Sequence, residues 1–232
     1  MKENVKKILS LFYKLRAYLP FLMSNAAANK VAMPGMFYKS FYSLKGTGNK
    51  LLISGETETS DFFVEGSGNT IIINNSAIGK SIITVSGDNN RIDFEDGVIL
   101  RNSTLTIRGS SCTIKIGKAT TFGGVRIINV GKDNEVVIGA GCLFSDFIEI
   151  WASDTHPVYN EQHEIINAEK SIYIEDKVWV GARVIILKGV TIEYGSIVGM
   201  GSMVVNNVPK SSISVGNPNR IVKNNISWDL HY

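Results

Sequence analysis

Two of the three histidines, His156 and His163, fall in one polar stretch, Trp-Ala-Ser-Asp-Thr-His-Pro-Val-Tyr-Asn-Glu-Gln-His at residues 151–163. An imidazole titrates near neutral pH, so it can take a proton from a weak acid during a reaction and return it later. Asp154, two residues before His156, could orient such a ring or shape the site around it. Three converging histidines with an open position would instead hold a catalytic metal. Here two share one stretch and His231 is remote in sequence, so no metal site is expected. A solvated histidine without a task is the plain alternative, and the residue alone does not choose between them. His163 and His231 read as structural or solvated.

The elements that would position His156 follow from a six-residue beat. Residues 174–209 break into IEDKVW, VGARVI, ILKGVT, IEYGSI, VGMGSM and VVNNVP, each opening with Ile or Val. Val178 and Val180, Val184 and Ile186, Val190 and Ile192, Ser196 and Val198, and Ser202 and Val204 are each two apart, so each pair faces one side of a short strand. Gly or polar turns separate them. Three sixes make one 18-residue coil of a triangular parallel solenoid. Trp179 lies between an inward pair, so its indole must point out and seek a partner. Ile185, Ile197 and Met203 point outward too, Trp179 and Ile197 on one face, Ile185 and Met203 on another.

A looser version runs earlier. Gly46–Asn49, Gly66–Asn69, Gly87–Asn90, Gly109–Cys112 and Gly131–Asn134 each precede an apolar strand, with fourth positions 20, 21, 22 and 22 residues apart. Stacked Asn amides would satisfy the turn backbone. Ile138 and Ile174 are 36 apart, two whole coils, so residues 151–171 read as a loop thrown outward without loss of phase. The organisation expected is a helical, basic segment over 1–45, a β-helix over 46–209 with that loop, and a tail over 210–232.

The formal charge of +3 conceals nine Lys and Arg against one acid in residues 1–50, leaving −5 for the rest. Val5, Ile8, Leu9, Phe12, Leu15, Leu19 and Leu22 have helical spacing with Lys2, Lys6, Lys7, Lys14 and Arg16 interspersed. The segment reads as a helix packed on the end of the domain, or else as one lying on an acidic membrane surface or polyanionic glycan. It is too charged to span a bilayer. Cys112 and Cys142, the only cysteines, form no framework and read as buried residues in a reducing compartment. That implies a cytoplasmic protein, peripheral at the inner membrane face if residues 1–24 lie on lipid.

The hexapeptide run, the Ser153–Pro157 loop, Val178-Trp-Val-Gly181 and the closing Gly216-Asn-Pro218 together resemble the left-handed β-helix acyltransferases. Within them they are most similar to bacterial O-acetyltransferases of capsular and other surface polysaccharides, polysialic acid enzymes included. The motif-bearing resemblance covers about residues 138–220. It implies an all-β, left-handed parallel β-helix, a homotrimer, and acetyl-CoA in a cleft between subunits. It also implies that His156 is the general base for a sugar hydroxyl, without an acyl-enzyme. Trp179, Asp154, Gly181, Gly199, Met200 and Ser202 would line the cleft, although a small residue is commoner at Met200. Lys210, Arg220 and Lys223 could meet the coenzyme phosphates or be ordinary solvated charges.

Competing readings are an amino-sugar N-acetyltransferase or antibiotic acetyltransferase, a non-catalytic binding solenoid, and a β-helical carbonic anhydrase that lacks its third converging histidine. The basic start favours an acidic over a neutral glycan acceptor. No G-x-x-x-x-G-K loop and no nucleic-acid module is present.

Overall fold

A computed structural model describes residues 5–14 and 28–230. The expectations placed on Lys2, Leu15, Arg16, Leu19, Leu22 and His231 lie outside these residues. Twenty-six short strands wind as a triangular prism. Each coil crosses three sheets in turn, here called the first, second and third faces, with eight, ten and eight strands. Every strand pairs in parallel with its equivalent one coil away, except the final pair on the second face, where Arg220–Asn224 runs antiparallel to Ser212–Val215.

The six-residue beat sets this architecture. Val178, Val180, Val184, Ile186, Val190, Ile192, Ser196, Val198, Ser202 and Val204 are all buried. Small branched residues fill a narrow prism at each step, and burying each contributes roughly 1.5–3 kcal/mol. The outward residues stack as their spacing predicts: Trp179 pairs with Ile197 on the second face and Ile185 with Met203 on the third. The longer early coils enclose a wider core, filled by Phe37, Tyr42, Phe62, Phe94, Phe122 and Phe144; the last two stack at 4.6 Å.

Among the described residues strands run from Lys30 to Asn224, beyond the 46–209 range that the repeats mark. The first coil escapes the pattern because its buried residues are aromatic, and the last because it closes by reversing direction.

Polar ladders hold the turns. Between third and first faces, Asn69 Nδ2 donates to Asn49 Oδ1 and Asn90 Nδ2 to Asn69 Oδ1, both at 3.1 Å. Cys112 takes the next rung, its N–H donating to Asn90 Oδ1 and its thiol to Gly131 O. On the same edge Gly87 has φ +107°, and a Cβ there would lie 1.9 Å from Gly109 O, so only glycine fits. Ser40, Ser60, Ser81 and Ser103 form a second ladder between the second and third faces.

Residues 5–14 are helical and rest beside the first coil, but not through the apolar face that the spacing suggests. Val5, Ile8, Leu9 and Phe12 point to solvent, Ile8 71% exposed. The contacts are an edge-on packing of the Tyr13 and Tyr38 rings at 5.6 Å and a set of polar bonds. Ser10 Oγ accepts the Phe37 N–H at 2.8 Å, Lys14 Nζ donates to Met33 and Gly35 carbonyls, and Lys6 reaches Glu58. Among the described residues no coil precedes the first to complete its hydrogen bonds, and Ser10 and Lys14 serve its open backbone groups. Among the described residues no helix is long and apolar enough to cross a membrane.

Candidate active site

The loop over 152–171 leaves the prism at the edge between third and first faces, after Ile148–Trp151 and before Ile172–Ile174. The asparagine ladder ends beneath it and ties both stems. Asn134 Nδ2 donates to Ala152 O at 2.9 Å, and Ser171 Oγ donates to Asn134 Oδ1 at 3.2 Å. Further out the chain folds as a small hairpin, with Tyr159 bridged to Ile165. Asn160 caps its tip, accepting the N–H groups of Gln162 and Glu164. His163 sits in this turn against the Tyr159 ring, a structural place.

His156 is exposed and is gripped through its backbone. Asn167 Nδ2 donates to His156 O at 2.9 Å, while Asn167 Oδ1 accepts the Val158 N–H at 2.7 Å. Ser153, buried, donates its hydroxyl to Glu169 Oε1 and accepts the Thr155 N–H. That bond supports Thr155 at φ 63°, a left-handed backbone strained for a β-branched residue. Asp154 pairs with Lys188 at 2.5 Å and accepts from Asn167 Nδ2 at 2.8 Å. The Lys188 ammonium, with the Asn167 amide, holds the Asp154 carboxyl below its ordinary pKa against the opposing effect of burial. Lys188 comes from the coil below and also donates to Asn167 O at 2.6 Å and Ala168 O at 3.2 Å. It is therefore the post to which the His156 turn is tethered.

Trp179 occupies the second face, 42% exposed, with Leu143 above and Ile197 below in the stack. Gly181 follows at the next corner, where a Cβ would meet Met200 N at 2.7 Å; close approach of backbone explains the glycine. Its N–H donates to Val198 O, that of Gly199 to Ser214 O and that of Gly201 to Ala182 O. These amides are engaged within the prism. Met200 projects, 75% exposed, while the Ser202 hydroxyl is buried and donates to Gly199 O. Lys210, Arg220 and Lys223 gather at the last coil. Lys223 lies opposite Ile213, which pairs with Ile197, so Lys223 stands three strand spacings, about 14 Å, along the stack from Trp179.

Within one chain the two leading residues do not meet. His156 stands at the edge joining third and first faces, and Trp179 lies on the second face, which in a triangular prism is opposite that edge. The structure also brings forward residues that sequence reasoning passed over: Lys188, Asn167, Ser153 and Glu169 around His156, and Trp228 beside Trp179. No group of three or more metal-ligating side chains occurs among the described residues. The thiols of Cys112 and Cys142 are buried, and burial pushes that of Cys142 up to about 11.

Comparison with known proteins gives these features a context. No protein-family model matches the chain. Over 130 residues it is 32% identical to the polysialic acid O-acetyltransferase of Escherichia coli O1:K1 / APEC, covering 56% of this chain and 41% of that protein. Over 117 residues it is 33% identical to the polysialic acid O-acetyltransferase of Neisseria meningitidis, covering 50% and 54%. The chain thus spans about half the length of the curated relatives it matches. The crystal structure of the polysialic acid O-acetyltransferase OatWY aligns with a TM-score of 0.76 and 32% identity, over 83% of this chain and 92% of that one. The chain belongs to the left-handed β-helix, or hexapeptide-repeat, acyltransferase family. Within that family its likeness is to O-acetyltransferases named for polysialic acid.

Proposed function

We propose that this protein transfers the acetyl group of acetyl-CoA to a hydroxyl of a bacterial surface polysaccharide, and that it does so as a homotrimer. The acceptor is an acidic, capsular glycan of the sialic acid-containing kind. The observation that carries the reading is the placement of His156 and Trp179 on opposite sides of one prism. A second copy, laying its loop edge against the first copy's second face, brings the two together. The surfaces suit each other: Val158, Ile165 and Ile166 of the loop hairpin are exposed, and Leu143, Ile197 and Ile213 are half-buried on the second face. Three such contacts close a ring.

In this site acetyl-CoA supplies a thioester carbonyl as electrophile. The His156 imidazole accepts the proton of the sugar hydroxyl as its oxygen bonds to that carbonyl carbon. The same imidazolium then returns the proton to sulfur as the carbon–sulfur bond breaks, leaving acetylated sugar and free thiol. Transfer is direct in this reading, and the burial of both cysteines speaks against a thiol as acyl carrier. The reaction would run in the cytoplasm, where acetyl-CoA is supplied.

The test is thiol release from acetyl-CoA with oligosialic acid as acceptor. His156→Ala should cost about 10²–10⁴ in kcat without loss of fold. Mixing His156→Ala with Trp179→Ala chains at subsaturating acetyl-CoA should raise activity above the mean of the two unmixed variants, because about a quarter of the sites then draw each residue from the intact copy. Full activity of His156→Ala, or no recovery on mixing, would overturn the shared-site reading.

A further inference from the structure

Trp179 is a large ring standing in solvent on a two-residue strand, and something must fix its orientation if a ligand is to use it. The segment after Arg220–Asn224 does so. At Asn225, φ 55°, the chain turns back and climbs the edge between first and second faces. The Ile226 N–H donates to Ser211 O at 2.9 Å, and two residues later the Trp228 indole N–H donates to Lys177 O at 3.0 Å. The Ser211 N–H bonds Tyr194 O and the Gly195 N–H bonds Asp176 O. The segment therefore crosses two coil steps to reach the coil of Trp179. There the Trp228 ring lies 6.0 Å from that of Trp179, tilted by 52°, and Lys177 Nζ stands over the Trp228 ring, 6.0 Å from its centroid.

The core does not require this strap. Val178 and Val180 are already fully enclosed by the prism. Residues 220–225, Ser227, Asp229 and Leu230 are exposed, and only Ile226 and Trp228 are half-buried. A strap that adds nothing to the core yet delivers an indole to an exposed indole is explained by the ring it orients. Below the pair the outward track continues through Ile197 and Ile213, and Lys210, Arg220 and Lys223 stand at its far end. An apolar cleft followed by cations suits an elongated ligand with a greasy, amide-bearing arm and a phosphorylated head.

We propose that Trp228 is a positioning residue of the transfer site, holding the Trp179 indole and forming with it the cleft that grips the pantetheine arm of the acyl donor. This assignment rests on the acetyltransferase reading above. Two indoles at this separation couple electronically, so the wild-type protein should show a bisignate far-ultraviolet circular dichroism band. That band should be lost in Trp228→Ala, Trp228→Phe and Trp179→Phe alike, whatever the activity. In steady-state assays of the full chain, Trp228→Ala should raise KM for acetyl-CoA about tenfold, with kcat and the glycan KM within about twofold. Trp228→Phe, which keeps a ring but no N–H, should recover most of the loss and serves if the alanine variant does not fold. Loss of the band with an unchanged acetyl-CoA KM would make Trp228 a structural strap only and overturn the assignment. Absence of turnover by the wild-type protein would remove the acetyltransferase reading itself, and the assignment with it.

Discussion

Lys188 offers the sharpest check on how the His156 turn is held. Replacing it by Met keeps the aliphatic stem and removes an ammonium that donates to Asp154, Asn167 O and Ala168 O. The Lys188 side chain is 16% exposed but that of Asp154 is 48% exposed, so solvent screens the ion pair and it contributes only about 0.5 kcal/mol. The bond from a charged donor to the Asn167 carbonyl contributes about 1.5 kcal/mol more. Together they favour the ordered loop by about 2 kcal/mol, or roughly 30-fold in population. Because the buried coils are untouched, the cost falls on the loop and not on the global fold. Lys188→Met should therefore speed hydrogen exchange across residues 152–171 by about 30-fold and lower kcat/KM by at most that factor, with Tm within about 2 °C of wild type. Unchanged loop protection and activity within threefold would show that the tether does not hold His156, and the reasoning would fail.

Two further outcomes follow from the same structure. The depressed pKa of Asp154 means that its interactions with Lys188 and Asn167 are present above the ordinary carboxylate value of 3.8 and are lost as pH falls through the lower folded value. Loop protection in wild type should thus fall in that acid window, and Asp154→Asn should abolish the dependence. Gly87→Ala forces a Cβ into Gly109 O at a positive φ; strain and overpacking should cost about 4 kcal/mol and lower Tm by roughly 10 °C, measured by calorimetry.

Much of this architecture can be read from residue types because a solenoid repeats one local rule. Val178, Val180 and their successors announce their inward faces two at a time, and the 36-residue interval from Ile138 to Ile174 marks the loop without any contact being known. The asparagine column is legible for the same reason, down to Cys112 as a substitute rung. What stays hidden is what does not repeat. Lys188 meets Asp154 across 34 residues, and nothing in a lysine beside a glycine reveals its partner. Trp228 reaches Trp179 by a strap with no period at all. The first coil is masked by Phe37 and Tyr42, where later coils use small aliphatics. The helix over 5–14 misleads outright, since apolar spacing cannot show that open backbone groups at Met33, Gly35 and Phe37 will attract Ser10 and Lys14 instead.

The reversed strand at Arg220–Asn224 has a consequence for assembly. The underside of a parallel coil is a template for the top of another, so a prism of this kind shares its logic with a growing fibril. On the ten-stranded face that growth meets a strand of opposite polarity, exposed along all five residues and carrying Arg220 and Lys223. A second molecule arriving in the parallel sense of the coils would meet a strand running the other way, and one offering the same edge would bring Arg220 and Lys223 against their copies. One change of chain direction thus breaks the parallel register on which coil-on-coil growth of this face relies.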